Sequence, residues 1–240
     1  MIPRSTLLLL LITNFCFAQD GPPTPIRVTH GPMLGRPSTD SMSIWVRTVR
    51  SGEVRIHYGT DATKLDNSMT FRTSGPSHDY TGVGTIQGLK SDTRYHYRVD
   101  DHQLSGSFRT LPSADDYRNP KGNPDGLFNF KFEFACGNNQ KGGGDSAGPT
   151  VPVFDTLNKK VRDQVHFAIL NGDWLYEFQR DYPPQSWAYQ AGLPGLEAAP
   201  SIVKQAPTIV GVWENYKAYL HRARNLSEWH RHVPSFYTAD

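Results

Sequence analysis

From Met42 to Val99, apolar residues recur at every second position in short runs, and that period of two commits the first half of the chain to strands. Met42, Ile44 and Val46 alternate with Ser43, Trp45 and Arg47. Val54, Ile56 and Tyr58 alternate with Arg55 and His57, and Tyr95, Tyr97 and Val99 with His96 and Arg98. Side chains of a strand point to opposite faces in turn, so each run describes one buried and one outward face. The Gly59-Thr60-Asp61 turn closes the second run, and Gly106 to Leu111 gives a last strand. Short strands separated by turn residues, without a helical period, predict an antiparallel β-sandwich over residues 26–112. Leu89 to Tyr95 reads as a tyrosine corner, a structural device in which a Tyr hydroxyl ties a strand to the preceding turn.

The period then changes. Residues 113–126 are rich in Pro, Gly, Asp and Asn and read as a linker. Phe128, Phe130, Phe132 and Phe134 alternate with polar residues and lead into Ala135-Cys136-Gly137 and a glycine-rich loop. Val151, Phe154, Leu157 and Val161 follow at helical spacing, with Pro149 and Pro152 near the helix start. The apolar run Val165 to Leu170, interrupted only by His166, predicts a strand covered on both faces. Strand, helix, strand is a βαβ unit, so residues 127–240 read as an α/β region. Arg180 to Val210 reads as an insertion, Trp213 to Arg224 as a helix, and Val233 to Thr238 as a third strand.

Composition narrows the class. Charged residues make up 20% of the 240 positions, and the formal net charge is +2, with no long run of one sign. A dedicated nucleic-acid or membrane-surface binder concentrates its Lys and Arg, and this chain does not. Residues 1–18 read as a signal peptide. Arg4 precedes the apolar core Leu7 to Ile12, and Ala18 offers a cleavage point. That core is shorter than the roughly 20 residues a bilayer span needs. The expected location is therefore secreted, periplasmic or cell-envelope, by a route without a twin-arginine signal. Of the two cysteines, Cys16 lies in the signal peptide, leaving Cys136 as the single thiol of the processed chain.

Chemistry is expected where the strands of the second region end, because parallel α/β sheets bind ligands beyond the carboxyl ends of their strands. Cys136 follows the first strand. Asp173 follows the second, in Asn171-Gly172-Asp173-Trp174-Leu175-Tyr176-Glu177, and Tyr176 can turn back toward the same point. A thiolate, a carboxylate and a phenolate together need a cation, and a soft sulfur beside hard oxygens suits a transition metal.

Phe134-Ala135-Cys136-Gly137 followed by Asn171-Gly172-Asp173-Trp174-Leu175-Tyr176-Glu177 resembles the alkaline phosphatase D (PhoD-like) metallophosphatases, relatives of the purple acid phosphatases. Thr29-His30-Gly31-Pro32, Ile44-Trp45-Val46-Arg47, Tyr58-Gly59-Thr60 and Thr93 to Val99 resemble the N-terminal part of the same family. The resemblance implies a multidomain β plus α/β protein. A fibronectin III/immunoglobulin-like sandwich precedes the first part of a calcineurin-like metallophosphoesterase domain, a four-layer β-sandwich flanked by helices. It implies ferric iron held by Cys136, Asp173 and Tyr176, with calcium or another divalent ion alongside and Asp173 bridging the two. The implied reaction is hydrolysis of small phosphate monoesters, with diesters as a second class, by metal-activated hydroxide. In the family an Asp-Asp-His-Glu-like element follows the third strand. Asp240 matches its first position, which the resemblance makes a further metal ligand, and the 127–240 domain is expected to be incomplete at its C-terminus, with an apolar face and edge uncovered.

Other readings of these residues stand beside this one. Cys136 also reads as a buried core thiol, Asp173 as a structural strand-end residue and Tyr176 as a packing aromatic. Asn138 and Asn139, offered as catalytic with Asp173, read equally as phosphate-positioning groups or as turn residues. Gly142-Gly143-Gly144 lacks the Gly-Lys-Ser/Thr ending of a phosphate loop and reads as a site-rim loop. His166 reads as a hydrogen-bonded core histidine, and His230 and His232 as solvated ones. Two further functional classes are a catalytically dead envelope-binding module and a phosphodiesterase or nuclease for which nucleic acid is substrate only.

Overall fold

A computed structural model describes residues 26–100, 104–128, 130–137, 151–173, 213, 216–217, 219–221 and 223–238. The signal-peptide segment 1–18, Asn138, Asn139, the Gly142–Gly144 loop, Tyr176, the 180–210 insertion and Asp240 lie outside the described residues.

Seven antiparallel strands form two sheets. β1 (Val28–Gly35), β2 (Met42–Thr48) and β5 (Thr81–Ile86) make one, in the order β1-β2-β5. The other holds β3 (Glu53–Gly59), β4 (Asn67–Arg72), β6 (Arg94–Val99) and β7 (Ser105–Arg109), in the order β4-β3-β6-β7. The period of two does the sorting. Met42, Ile44, Val46, Val54, Ile56, Tyr97, Val99 and Phe108 are all buried between the sheets, in one cluster. Tyr95 stacks on Phe108 with ring centroids 5.6 Å apart, and its hydroxyl accepts the Lys90 N–H at 2.9 Å, closing the tyrosine corner. The linker contains one helical turn, α1 (Ala114–Tyr117). Asp116 holds its start by accepting both the N–H and the hydroxyl of Ser113, at 2.6 and 2.8 Å.

The third sheet is parallel. β8 (Phe132–Ala135), β9 (Phe167–Asn171) and β10 (Ser235–Thr238) lie in the order β10-β9-β8. Helices α2 (Val153–Lys160) and α3 (Arg224–His230) pack together over one face. Phe154 meets Trp229 edge-on at 5.9 Å, and Ala168, Leu226 and Val233 are buried with them. The opposite face is a row of rings. Phe132 stacks on Phe167 at 5.5 Å, and Phe236 meets Phe167 edge-on at 5.5 Å. Phe132, Phe134 and Phe236 are 47%, 60% and 41% exposed, so this face stands open to solvent. The double-sided burial expected of Val165 to Leu170 is therefore halved. Ala168 is buried under the helices, Leu170 is buried as well, and Phe167 and Ile169 are only partly covered.

The histidines of the last stretch also depart from expectation. His230 is fully buried and His232 is mostly covered, because residues 224–230 continue as helix. Leu226, Trp229, His230 and Val233 then fall on one face, at the i, i+3, i+4, i+7 spacing. Tyr237 Oη lies 2.8 Å from His230 Nε2, and burial lowers the His230 pKa to about 3. His166 is buried and accepts the Lys131 N–H at 3.1 Å, as expected of a core histidine.

Sandwich and parallel sheet share a polar seam. The Tyr97 hydroxyl donates to the Arg231 carbonyl at 2.9 Å, and the Ser107 N–H donates to His232 Nδ1 at 3.2 Å. That acceptor role leaves the proton on His232 Nε2, which donates to Glu228 Oε1 at 3.0 Å. The His232 bond, above all, and Arg231 and Arg162 beside it hold Glu228 down to about 2, against the cost of burial. No helix among the described residues is long and apolar enough to cross a membrane.

Candidate active site at the carboxyl edge of the parallel sheet

The register decides which residues share an edge. Ala135 pairs with Leu170, and Leu170 with Tyr237. Parallel strands so aligned finish together, and Cys136 and Asp173 leave the same edge of the sheet. Both are exposed. For Cys136 that excludes the buried core-thiol reading, and it carries no disulfide.

The exit of β9 is held tightly. Gly172 is buried with φ +65, and Asp173 follows with φ +47, a left-handed conformation that a residue with a Cβ adopts at a cost. The Gly172 N–H donates to Thr238 Oγ1 at 3.1 Å, and the Thr238 hydroxyl donates to Asn171 Oδ1 at 2.7 Å. β10 thereby fixes the direction in which Asp173 leaves the sheet. Gly137, with φ +79, turns the chain just after Cys136. Among the described residues no group of three His, Cys, Asp or Glu converges on one point. Tyr176 and Asp240, the other expected ligands, and Asn138 and Asn139 lie outside the described residues.

Sequence reasoning missed a second feature beside this edge. A cleft of about 1120 Å³ opens between the outward face of β1-β2-β5 and the helical residues Trp213, Tyr216, Lys217 and Leu220, and Tyr237 and Thr238 of β10 line it as well. Its charged end is built around Asp79, which accepts Arg47 Nε at 2.9 Å and the same guanidinium's NH2 group at 2.8 Å, with Lys217 Nζ at 3.1 Å. Burial pushes Asp79 up, but the bonds from Arg47 and Lys217 outweigh it and hold the carboxyl below its ordinary range. His30, close by, is lowered to about 4 by burial first and then by Arg47 and Lys217. The available signal was Trp45 between Ser43 and Arg47: a large aromatic on a face that the alternation assigns outward.

A search of solved structures matches PhoD over 87% of this chain, with a TM-score of 0.61 and 19% identity. The fold is PhoD-like. The chain spans 38% of the PhoD chain, so the likeness covers a part of that protein. Residues 26–115, the sandwich, match a family model described as a domain of unknown function (DUF7800). Shorter matches include the sensor domain of the anti-sigma factor RsgI4 in Pseudobacteroides cellulosolvens, at 20% identity and a TM-score of 0.28. That match covers 38% of this chain and all of the other. The fn3 domain of human collagen alpha-1(XX) chain matches at 18% identity and a TM-score of 0.24, over 39% of this chain and 86% of that one. No curated protein matches the sequence.

Proposed function

We propose that this chain carries part of the active site of an exported, metal-dependent phosphoric ester hydrolase. The supporting observation is the parallel register that brings Cys136 and Asp173 out at one edge of the sheet. The PhoD-like fold supplies a scaffold consistent with that chemistry.

The donor set fits a metal. An exposed thiol and an exposed carboxylate leave adjacent parallel strands, and a soft sulfur beside a hard oxygen suits ferric iron better than magnesium. Cys136 and Asp173 would hold it, joined by Tyr176 and Asp240, with calcium or another divalent ion as a second occupant. A metal bound there supplies Lewis-acid polarisation of a phosphoryl oxygen and neutralises charge on the leaving group. The chain's own contribution is orientation. Gly172, pinned by Thr238, aims Asp173 away from the sheet, and Asn138 and Asn139 would position the phosphoryl oxygens.

Metal analysis and hydrolysis assays test this together. The purified chain is expected to bind iron and to show the visible absorption of a tyrosinate–iron bond. It is also expected to cleave p-nitrophenyl phosphate faster than bis-p-nitrophenyl phosphate, with Cys136→Ser and Asp173→Asn each losing iron and activity. Full activity in Asp173→Asn, or a wild-type chain that takes up no metal, overturns the proposal.

A further inference from the structure

Another hollow, of about 510 Å³, lies where the sandwich meets the α/β unit. One wall is the outward face of β6 and β7, and Arg162, Asp163 and His232 stand opposite. Arg162 and Asp163 come just before β9, and His232 just before β10. The hollow therefore sits at the amino edge of the parallel sheet, away from the carboxyl edge that Cys136 and Asp173 leave.

Three side-chain donors there lack an acceptor. Arg98 and Ser105 are register partners on β6 and β7, and His96 stands two residues along β6 on the same face. Paired residues are about 5 Å apart and alternate ones about 7 Å, so the three side chains spring from a patch that suits one tetrahedral anion. None of these side chains makes a hydrogen bond among the described residues. Their neighbours are committed. Arg94 donates to the Asp163 carboxylate at 2.9 Å and to its carbonyl at 3.2 Å, and both ring nitrogens of His232 are bonded.

The ion pairs leave one cation over. Arg94 and Arg162 share Asp163, Arg162 and Arg231 share Glu228, and Arg98 has no carboxylate among the described residues. Asp61, whose charge reaches His96, accepts the N–H and the hydroxyl of Thr63 at 2.8 Å each. A neutral ligand leaves the Arg98 charge unanswered, and a metal cation is repelled by it. An oxyanion accepts from Arg98, His96 and Ser105 together, in charge-assisted bonds. Ala62 and Leu65 line the remaining side, and the volume leaves room for a small organic group.

We infer that Arg98, His96 and Ser105 form a binding site for a tetrahedral oxyanion, either free phosphate or the phosphate head of a small ester. Arg162 of the α/β unit borders the same hollow, so occupancy ties the two halves together and stabilises the folded chain. The site stands whether or not the carboxyl edge hydrolyses anything.

Calorimetric titration of the metal-stripped full chain, at fixed ionic strength, provides the test. Inorganic phosphate and glycerol 3-phosphate are the probes, and the tighter of the two identifies the free ion or the ester head as the ligand. Arg98→Glu and the uncharged Arg98→Gln, at an exposed position, are each expected to weaken both probes by about tenfold or more with unchanged thermal unfolding in the absence of phosphate. Arg72→Glu, on the exposed face of β4 in the same sheet, makes the same change in net charge and is expected to leave affinity unaltered. Affinity is likewise expected to survive in the Cys136→Ser, Asp173→Asn double variant. No binding of either probe, full affinity in both Arg98 variants, or equal losses in Arg72→Glu and Arg98→Glu overturns the inference. Loss of binding in the double variant also overturns it, by placing the anion at the carboxyl edge. Phosphate binding by a chain that hydrolyses nothing under any metal would sink the hydrolase reading and leave this site intact.

Discussion

The sandwich and the parallel sheet solve the same problem to different degrees. In the sandwich each sheet covers the other, and the alternating residues Ile44, Val46, Ile56 and Val99 are wholly buried. Among the described residues, helices cover the parallel sheet on one face only. Its other face presents Phe132, Phe134 and Phe236 to solvent, although the same alternation generates it. An apolar face is a demand for a partner layer, and burial of a ring against ring meets it only in part. The sandwich is self-sufficient in packing, and the parallel sheet stores unspent apolar surface beside the candidate site.

The sharpest way to break this comparison is a set of three substitutions read by denaturant unfolding. Trp229→Ala, under the helices, is expected to cost about 3–5 kcal/mol. Ile56→Ala in the sandwich is expected to cost about 2–5 kcal/mol. Phe134→Ser on the open face is expected to change stability by no more than about 0.5 kcal/mol. A large loss for Phe134→Ser would show that the face is covered in solution.

Acidity sharpens it next. As pH falls below the ordinary histidine value of 6.5, the unfolded chain takes up a proton that folded His230, lowered to about 3 by burial, refuses. Its contribution is complete above 6.5 and declines as pH drops toward 3, at about 1.4 kcal/mol per unit. Unfolding measured at pH 7, 6 and 5 is expected to show this slope, and His230→Gln is expected to reduce it. His30, lowered to about 4, acts over the upper part of the same window and leaves a residual slope in that variant.

Smaller effects test the connections. Tyr95→Phe removes the bond to the Lys90 N–H and is expected to cost about 1 kcal/mol. Arg94→Ala breaks its pair with Asp163, whose side chain is 62% exposed, and is expected to cost about 0.5 kcal/mol or less.

Much of this was readable from residue order. The runs around Ile44, Ile56 and Tyr97 announce a sandwich because a period of two leaves no other way to bury them together. The exit of Cys136 and Asp173 at one edge follows from the βαβ connection, since parallel strands joined by a helix must end on the same side. His230 was harder. Its neighbours Glu228, Arg231 and His232 are polar, and only the helical phase shared with Leu226, Trp229 and Val233 reveals the buried side. Of the cleft, only the outward-facing Trp45 was readable. Trp45 and Lys217 are far apart in sequence, and no local pattern records that Trp213, Tyr216, Lys217 and Leu220 face the outward side of β2.

The contact between Gly106 and the Arg231 carbonyl carries a practical lesson for protein engineers. A Cβ at position 106 would overlap that carbonyl and crowd the Tyr97 ring. The β7 surface is thus cut to the shape of one particular neighbour, down to a single missing methyl. Transplanting this sandwich in front of an unrelated α/β unit would leave a notch with nothing to fill it, and a foreign sandwich with a Cβ at the matching position would drive it into the backbone. The two halves are a fitted pair, and they have to be moved as one.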